Sequence, residues 1–266
     1  MLQRLLRLGT ATSLGLGFLV TLAIPSSAGP AQFPTATPFN GLPTVGALFG
    51  GPSDTGFHFC TASVVDSPGR NLILIAAHCI QGTGRGLVFV PKYHQGVAPY
   101  GIWSVKAAYV DKRWLANQNP QADYAFLTMQ PQQRQGHVVN IEDVVGGNRL
   151  VIDRGFHNWT VVVGYPAGVG GRPIICANET YDHNGYPAFN CHGYVGGTSG
   201  GPFLVNFNPS TQTGSVDGVI GGLHQGGCFE YTSYSSYFTV GTALVYYRAV
   251  HGGPGDMVPK AGSDGC

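Results

Sequence analysis

The run Gly196-Gly197-Thr198-Ser199-Gly200-Gly201-Pro202 sets one serine among glycines on both sides. Glycine permits a sharp turn and close backbone approach, so this stretch can expose a hydroxyl with backbone N–H groups facing the same space. Acyl transfer to a serine builds a negatively charged oxygen that such donors must meet, and losing one donor costs on the order of a hundred- to a thousand-fold in rate. Ser199 therefore reads as a nucleophile, with its own N–H and that of Gly197 as the oxyanion hole. Taken alone, the heptapeptide is equally a glycine-rich surface turn. Two further stretches decide the matter: Ala76-Ala77-His78-Cys79 after the apolar run Leu72-Ile73-Leu74-Ile75, and Asp123-Tyr124-Ala125-Phe126-Leu127. A serine hydroxyl needs a neutral imidazole to take its proton and a carboxylate to orient and stabilise that imidazole. His78, Asp123 and Ser199 supply the three types in that order. Asp111, in Tyr109-Val110-Asp111-Lys112-Arg113, is the competing acid and reads as a solvated turn residue.

Through these three motifs the chain resembles the chymotrypsin-like (trypsin-like) serine proteases over roughly residues 45 to 250. The resemblance implies an all-β fold of two six-stranded antiparallel β-barrels with a C-terminal helix. His78 and Asp123 would lie on the first barrel and Ser199 on the second, with the active site between them. Two departures from the digestive trypsins stand out. Thr198 occupies the position before the nucleophile where those enzymes carry an aspartate that pairs with a new N-terminal ammonium. Gly193, six residues before Ser199, replaces the aspartate that selects Lys and Arg, so cleavage after basic residues is not expected. Gly164-Tyr165-Pro166 and Gly222-Leu223-His224-Gln225-Gly226-Gly227 look like motifs of the glutamyl endopeptidase (V8-like) branch and its secreted actinobacterial relatives. In that branch the histidine of the second motif receives a substrate carboxylate, which implies His224, Tyr194 and Gly226 as substrate-binding residues and a preference for Glu or another acidic residue before the cut. Tyr194 stands where the branch offers a small hydroxyl residue; its own hydroxyl can substitute, or its ring can block the pocket. For His224 the alternative is an ordinary strand residue bonded to backbone. His192, close to Ser199 in sequence, is a further candidate for lining the pocket.

The elements that must hold these residues are short apolar runs bounded by Gly, Pro, Asn and Asp. Residues 59–65, 72–77, 87–90, 102–110 and 124–129 read as a first set of strands, and 150–152, 159–165, 173–177, 202–207 and 217–223 as a second. The polar stretch Gln130 to Gln135 reads as the start of the connection between them. Phe238 to Val250 is predicted as a helix, with Val240, Leu244, Tyr247 and Ala249 at helical spacing. Many short strands with turn signals argue for barrels.

Residues 1–28 read as a secretory signal peptide: Arg4 and Arg7 precede the apolar core Leu14 to Ile24, and Ser26-Ser27-Ala28 is a small-residue cleavage site. That core is shorter than the about 20 apolar residues a bilayer requires, so no membrane association is expected once it is removed. Residues 29–44, rich in proline, form an N-terminal arm or propeptide. Residues 45–135 are assigned to the first barrel, 136–251 to the second with the helix, and 252–266 to a tail. About 238 residues after cleavage suit one two-barrel unit.

A formal charge of +1 with only 10% charged residues leaves no basic stripe for nucleic acid. Cys60, Cys79, Cys176, Cys191, Cys228 and Cys266 all follow the signal segment, as in a secreted extracellular protein. Their connectivity is open from sequence. The preferred pairs are Cys60–Cys79, Cys176–Cys191 and Cys228–Cys266, of which the first resembles the family's bridge beside the catalytic histidine. No Cys-x-x-Cys spacing occurs, so neither metal nor cofactor is expected. The expectation is a secreted, monomeric serine endopeptidase acting on protein or peptide substrates. Its rivals are a catalytically inactive binding protein on the same fold and a serine esterase.

Overall fold

The computed structural model describes residues 33–51, 56–169 and 171–266. The predicted signal peptide lies outside them. Strands dominate, and twelve of them form two groups. The first comprises β1 (Val45–Phe49), β2 (Phe57–Val65), β3 (Leu72–Ile75), β4 (Val88–Pro91), β5 (Trp103–Val110) and β6 (Ala125–Met129). Antiparallel pairing runs β1-β4-β5-β6-β3-β2 and returns to β1, a closed six-stranded barrel. Every residue of β1, β3, β4 and β6 is buried, which explains why these runs are continuously apolar instead of alternating.

The second group comprises β7 (Trp159–Gly164), β8 (Ile174–His183), β9 (Tyr186–Asn190), β10 (Pro202–Asn208), β11 (Thr213–Val219) and β12 (Thr232–Tyr234). Its order is β11-β10-β7-β8-β9-β12, with Arg149–Leu150 added in parallel outside β11. This six-stranded antiparallel group stands where the second barrel was expected. Between β11 and β12 there is no ladder; one backbone bond, Gly221 N to Tyr234 O at 2.9 Å, joins their ends. The stretch beginning at Gln130 is also more ordered than a simple connection: Gln132–Arg134 and His137–Val139 pair as a hairpin.

Among the described residues three α-helices accompany the strands: α1 (Lys112–Asn117), α2 (Ile141–Val145) and α3 (Val240–His251). Helix α3 is capped by Thr239, whose hydroxyl accepts from Gly241 N, and it packs Thr242, Val245 and Ala249 inward. Of the four residues proposed for its apolar face only Ala249 faces the core; Val240, Leu244 and Tyr247 are exposed. Disulfides join Cys60 to Cys79, Cys176 to Cys191 and Cys228 to Cys266. No helix among the described residues is long and apolar enough to cross a membrane.

Candidate active site

His78 sits in a single 3-10 turn, Ala77–Cys79, immediately after β3. Ala76 and Ala77 are fully buried, and the adjoining Cys79 is fixed to β2 by its bond to Cys60. Asp123 closes the turn before β6 and is completely enclosed. Its carboxylate takes three N–H donors: His78 Nδ1 at 2.7 Å and Gly222 N at 2.8 Å on Oδ2, and His78 N at 2.8 Å on Oδ1. A buried carboxylate so bonded leaves no unpaired acceptor. With Nδ1 committed to Asp123, the proton sits there and Nε2 is left as the acceptor. Asp123 N in turn donates to Ser236 Oγ, which donates to Pro120 O, so β12's downstream segment braces the acid.

Asp111 takes a different part. It is buried, not solvated: it caps α1 through Arg113 N, pairs with the Arg113 guanidinium at 2.9 Å, and accepts from the Tyr124 hydroxyl at 2.7 Å. Those bonds hold its carboxyl below the usual range despite the opposing effect of burial.

The loop carrying Ser199 is fixed by contacts from the first barrel. Thr61, fully buried on β2, donates its hydroxyl to Gly197 O at 2.9 Å and accepts from Tyr165 N at 2.8 Å, while Thr61 N donates to Ser199 O at 2.8 Å. Gly197 has φ +93°, and a Cβ there would lie 2.2 Å from Ala167 N, so no other residue fits. Thr198 N and Oγ1 both donate to Val195 O, bracing the loop without a carboxylate. Gly164 abuts the Thr198 side chain, which gives Gly164-Tyr165-Pro166 a structural reason. Among the described residues, the N–H groups of Gly197 and Ser199 donate to nothing in the protein.

Ser199 and His78 line one cleft of about 650 Å³, together with Tyr194, Ile220, His224 and Gly226. No hydrogen bond joins Ser199 to His78 among the described residues, a separation common before substrate binds. The remaining candidates separate. Tyr194 presents its ring; its hydroxyl, expected as a donor to substrate, is turned away and donates to Val162 O at 2.7 Å. Burial raises that hydroxyl far above its ordinary pKa. His224 reaches the cleft from a turn in the left-handed region (φ 51°), and its Nδ1 lies 3.0 Å from Asp264 O. His192 is not on the cleft; it pairs with Glu230 at 2.7 Å, and its backbone pairs with the arm at Thr35. Two His–Cys clusters, His78 with Cys60 and Cys79 and His224 with Cys228 and Cys266, have their sulfurs spent in disulfides, so thiolate ligands for a metal are lacking there.

Sequence reasoning missed Thr61, Gly222 and Ser236. Each acts through a hydroxyl or a backbone N–H, and such roles leave no mark on residue type.

The fold is that of the chymotrypsin-like serine proteases. Protease Anisep from Arthrobacter nicotinovorans is 25% identical, with 82% of this chain and 100% of that one covered and a TM-score of 0.68. A Glu endopeptidase is 16% identical over 82% and 98% of the two chains at a TM-score of 0.62, and human heparin binding protein is 13% identical over 84% and 99% at 0.62. Neither a family model nor a curated protein matches the sequence.

Proposed function

We propose that the protein is a secreted serine endopeptidase. The observation that carries this reading is the hydrogen-bonded pair Asp123–His78 opening onto the cleft that Ser199 lines, beside two unspent N–H groups. In this reading Ser199 Oγ attacks the scissile carbonyl carbon as its proton passes to His78 Nε2, and Asp123 stabilises the imidazolium. The Gly197 and Ser199 N–H groups receive the oxyanion. Collapse breaks the C–N bond, and the imidazolium gives its proton to the leaving amine. Water then attacks the acyl-enzyme, losing its proton to the same histidine, and Ser199 is restored.

The fold by itself does not decide for catalysis, since a protein named for heparin binding shares it. The complete Asp–His pair is what favours an enzyme. The disulfides support an oxidising, extracellular location. Labelling of Ser199 by a fluorophosphonate, absent from Ser199→Ala, tests the hydrolase; no labelling of the folded protein returns the binding-protein reading. Peptide turnover exceeding simple ester turnover separates endopeptidase from esterase.

An acidic preference before the cut draws support from His224, which lines the cleft with Nε2 uncommitted, and from the likeness to a Glu endopeptidase. No lysine or arginine lines the cleft, so His224 and His78 are its cationic candidates for a substrate carboxylate. His224→Ala should then lower kcat/KM for Glu-containing peptides at least ten-fold while sparing Leu-containing ones. Equal effects on both would discard the assignment.

A further inference from the structure

Beyond α3 the chain turns back along the molecule. Asp256 N donates to Ala108 O and its carboxylate takes Val110 N at 2.8 Å and the Arg248 guanidinium at 2.6 Å. Val258, buried, exchanges two backbone bonds with Gly82, each 2.8 Å. The Gln118 side chain at the end of α1 then clamps the strap from both sides, donating to Lys260 O and accepting from Gly262 N. Next, Gln225 Nε2 donates to Gly262 O, His224 Nδ1 meets Asp264 O, and Cys266 is bonded to Cys228. The strap thus starts on β5 of the closed barrel and ends covalently on the turn that borders the catalytic cleft.

Asp264 lines that cleft and also a neighbouring cavity of about 230 Å³ walled by Trp114, Asn117, Gln118, Pro120 and His224. The carboxylates lining the two spaces are Glu230 and Asp264, and neither space is lined by lysine or arginine. Both oxygens of Glu230 are engaged, by His192 and by Gly193 N. In Asp264 only Oδ1 accepts, from Cys266 N at 3.0 Å, and Oδ2 has no partner among the described residues. A carboxylate in a concave wall concentrates cations there. The direction of the substrate follows from the chemistry. His78 must protonate the leaving amine, so the leaving peptide lies toward His78, and the acyl part runs along the opposite wall formed by 223–228 and the strap.

Resting on the endopeptidase reading above, we propose that the C-terminal strap is a wall of the substrate cleft and that Asp264 selects a basic side chain two to four residues before the scissile bond, seated in the 230 Å³ cavity.

The test uses the full mature protein, with quenched-fluorescence peptides differing only by Lys or Gln at those positions and a small acyl ester that does not reach them. Wild type should favour the Lys peptide. Asp264→Asn should lower the Lys/Gln ratio of kcat/KM about three- to five-fold, the size of an exposed charge pair, and change ester turnover by less than that ratio. Salt should shrink the wild-type ratio as it screens the charge. Freeing the strap with Cys228→Ser and Cys266→Ser should reduce the ratio likewise; if that variant does not fold, Asp264→Asn decides. An unchanged ratio in Asp264→Asn, with Ser199 still labelled by fluorophosphonate, overturns this inference alone. Failure of wild type to be labelled overturns the endopeptidase reading, and this inference falls with it.

Discussion

At the scale of single residues, the proposed site is built from backbone and side-chain groups that are bonded everywhere except toward the cleft. Thr61 shows this most clearly. Its hydroxyl links the carbonyl of Gly197 to the N–H of Tyr165, so a residue of the first barrel holds the loop proposed to form the oxyanion hole. Thr61→Val keeps the shape and removes the link. Leaving such buried groups unpaired costs about 1–3 kcal/mol each. We expect a lower melting temperature and a kcat reduced ten-fold or more with KM little changed, because the loss falls on transition-state donors. Thr61→Ser should restore most of kcat. Variants that melt lower yet keep wild-type kcat would show Thr61 to be a structural residue only. His78, Asp123 and Ser199 were legible as candidates because the chemistry proposed for them demands particular residue types. Thr61 and Ser236 stayed hidden because a buried threonine or serine in an ordinary strand or loop looks the same whether or not it orients a catalytic group.

At the scale of elements, strands were readable where burial on both faces leaves long apolar runs, as in β3 and β6. Their ends were not. The predicted run 72–77 stops at Ile75 because the next residues must turn to deliver His78. Strands β9 and β12 escaped notice since proline, serine and threonine dilute their pattern. Helix α3 was found, but with the wrong face: Thr242 lies inward while Val240 and Leu244 lie outward, so hydrophobicity alone misplaced it. Strand β11 carries a testable electrostatic feature. Burial pushes the Asp217 carboxyl up to about 7, with Arg154 acting weakly against it. An unfolded aspartate titrates near 4, so the folded state holds this proton more tightly, and stability is fully present below about pH 4 and falls as pH rises to about 7. Asp217→Asn should remove that decline. Thermal melts of the two proteins should converge near pH 4 and differ most above pH 7, with the variant higher; parallel curves would contradict the assignment.

At the scale of the whole molecule, the resemblance carried by the three motifs implied a cleft between two β-units, but not how the ends of β11 and β12 meet. Closure depends on which strand ends meet, and that is a property of long-range pairing rather than of local pattern. The tail was equally opaque: residues 252–266 are polar and glycine-rich, yet Val258, Gln118 and the Cys228–Cys266 bond fix them against both units. The central claim, that Ser199 is a nucleophile served by His78 and Asp123, is tested most directly by digesting a peptide library with the mature protein and with Ser199→Ala and sequencing the products by mass spectrometry. The account predicts cuts by the wild type that fall on the order of a million-fold in the variant. Cuts that persist in Ser199→Ala, or none by folded wild type, would contradict it.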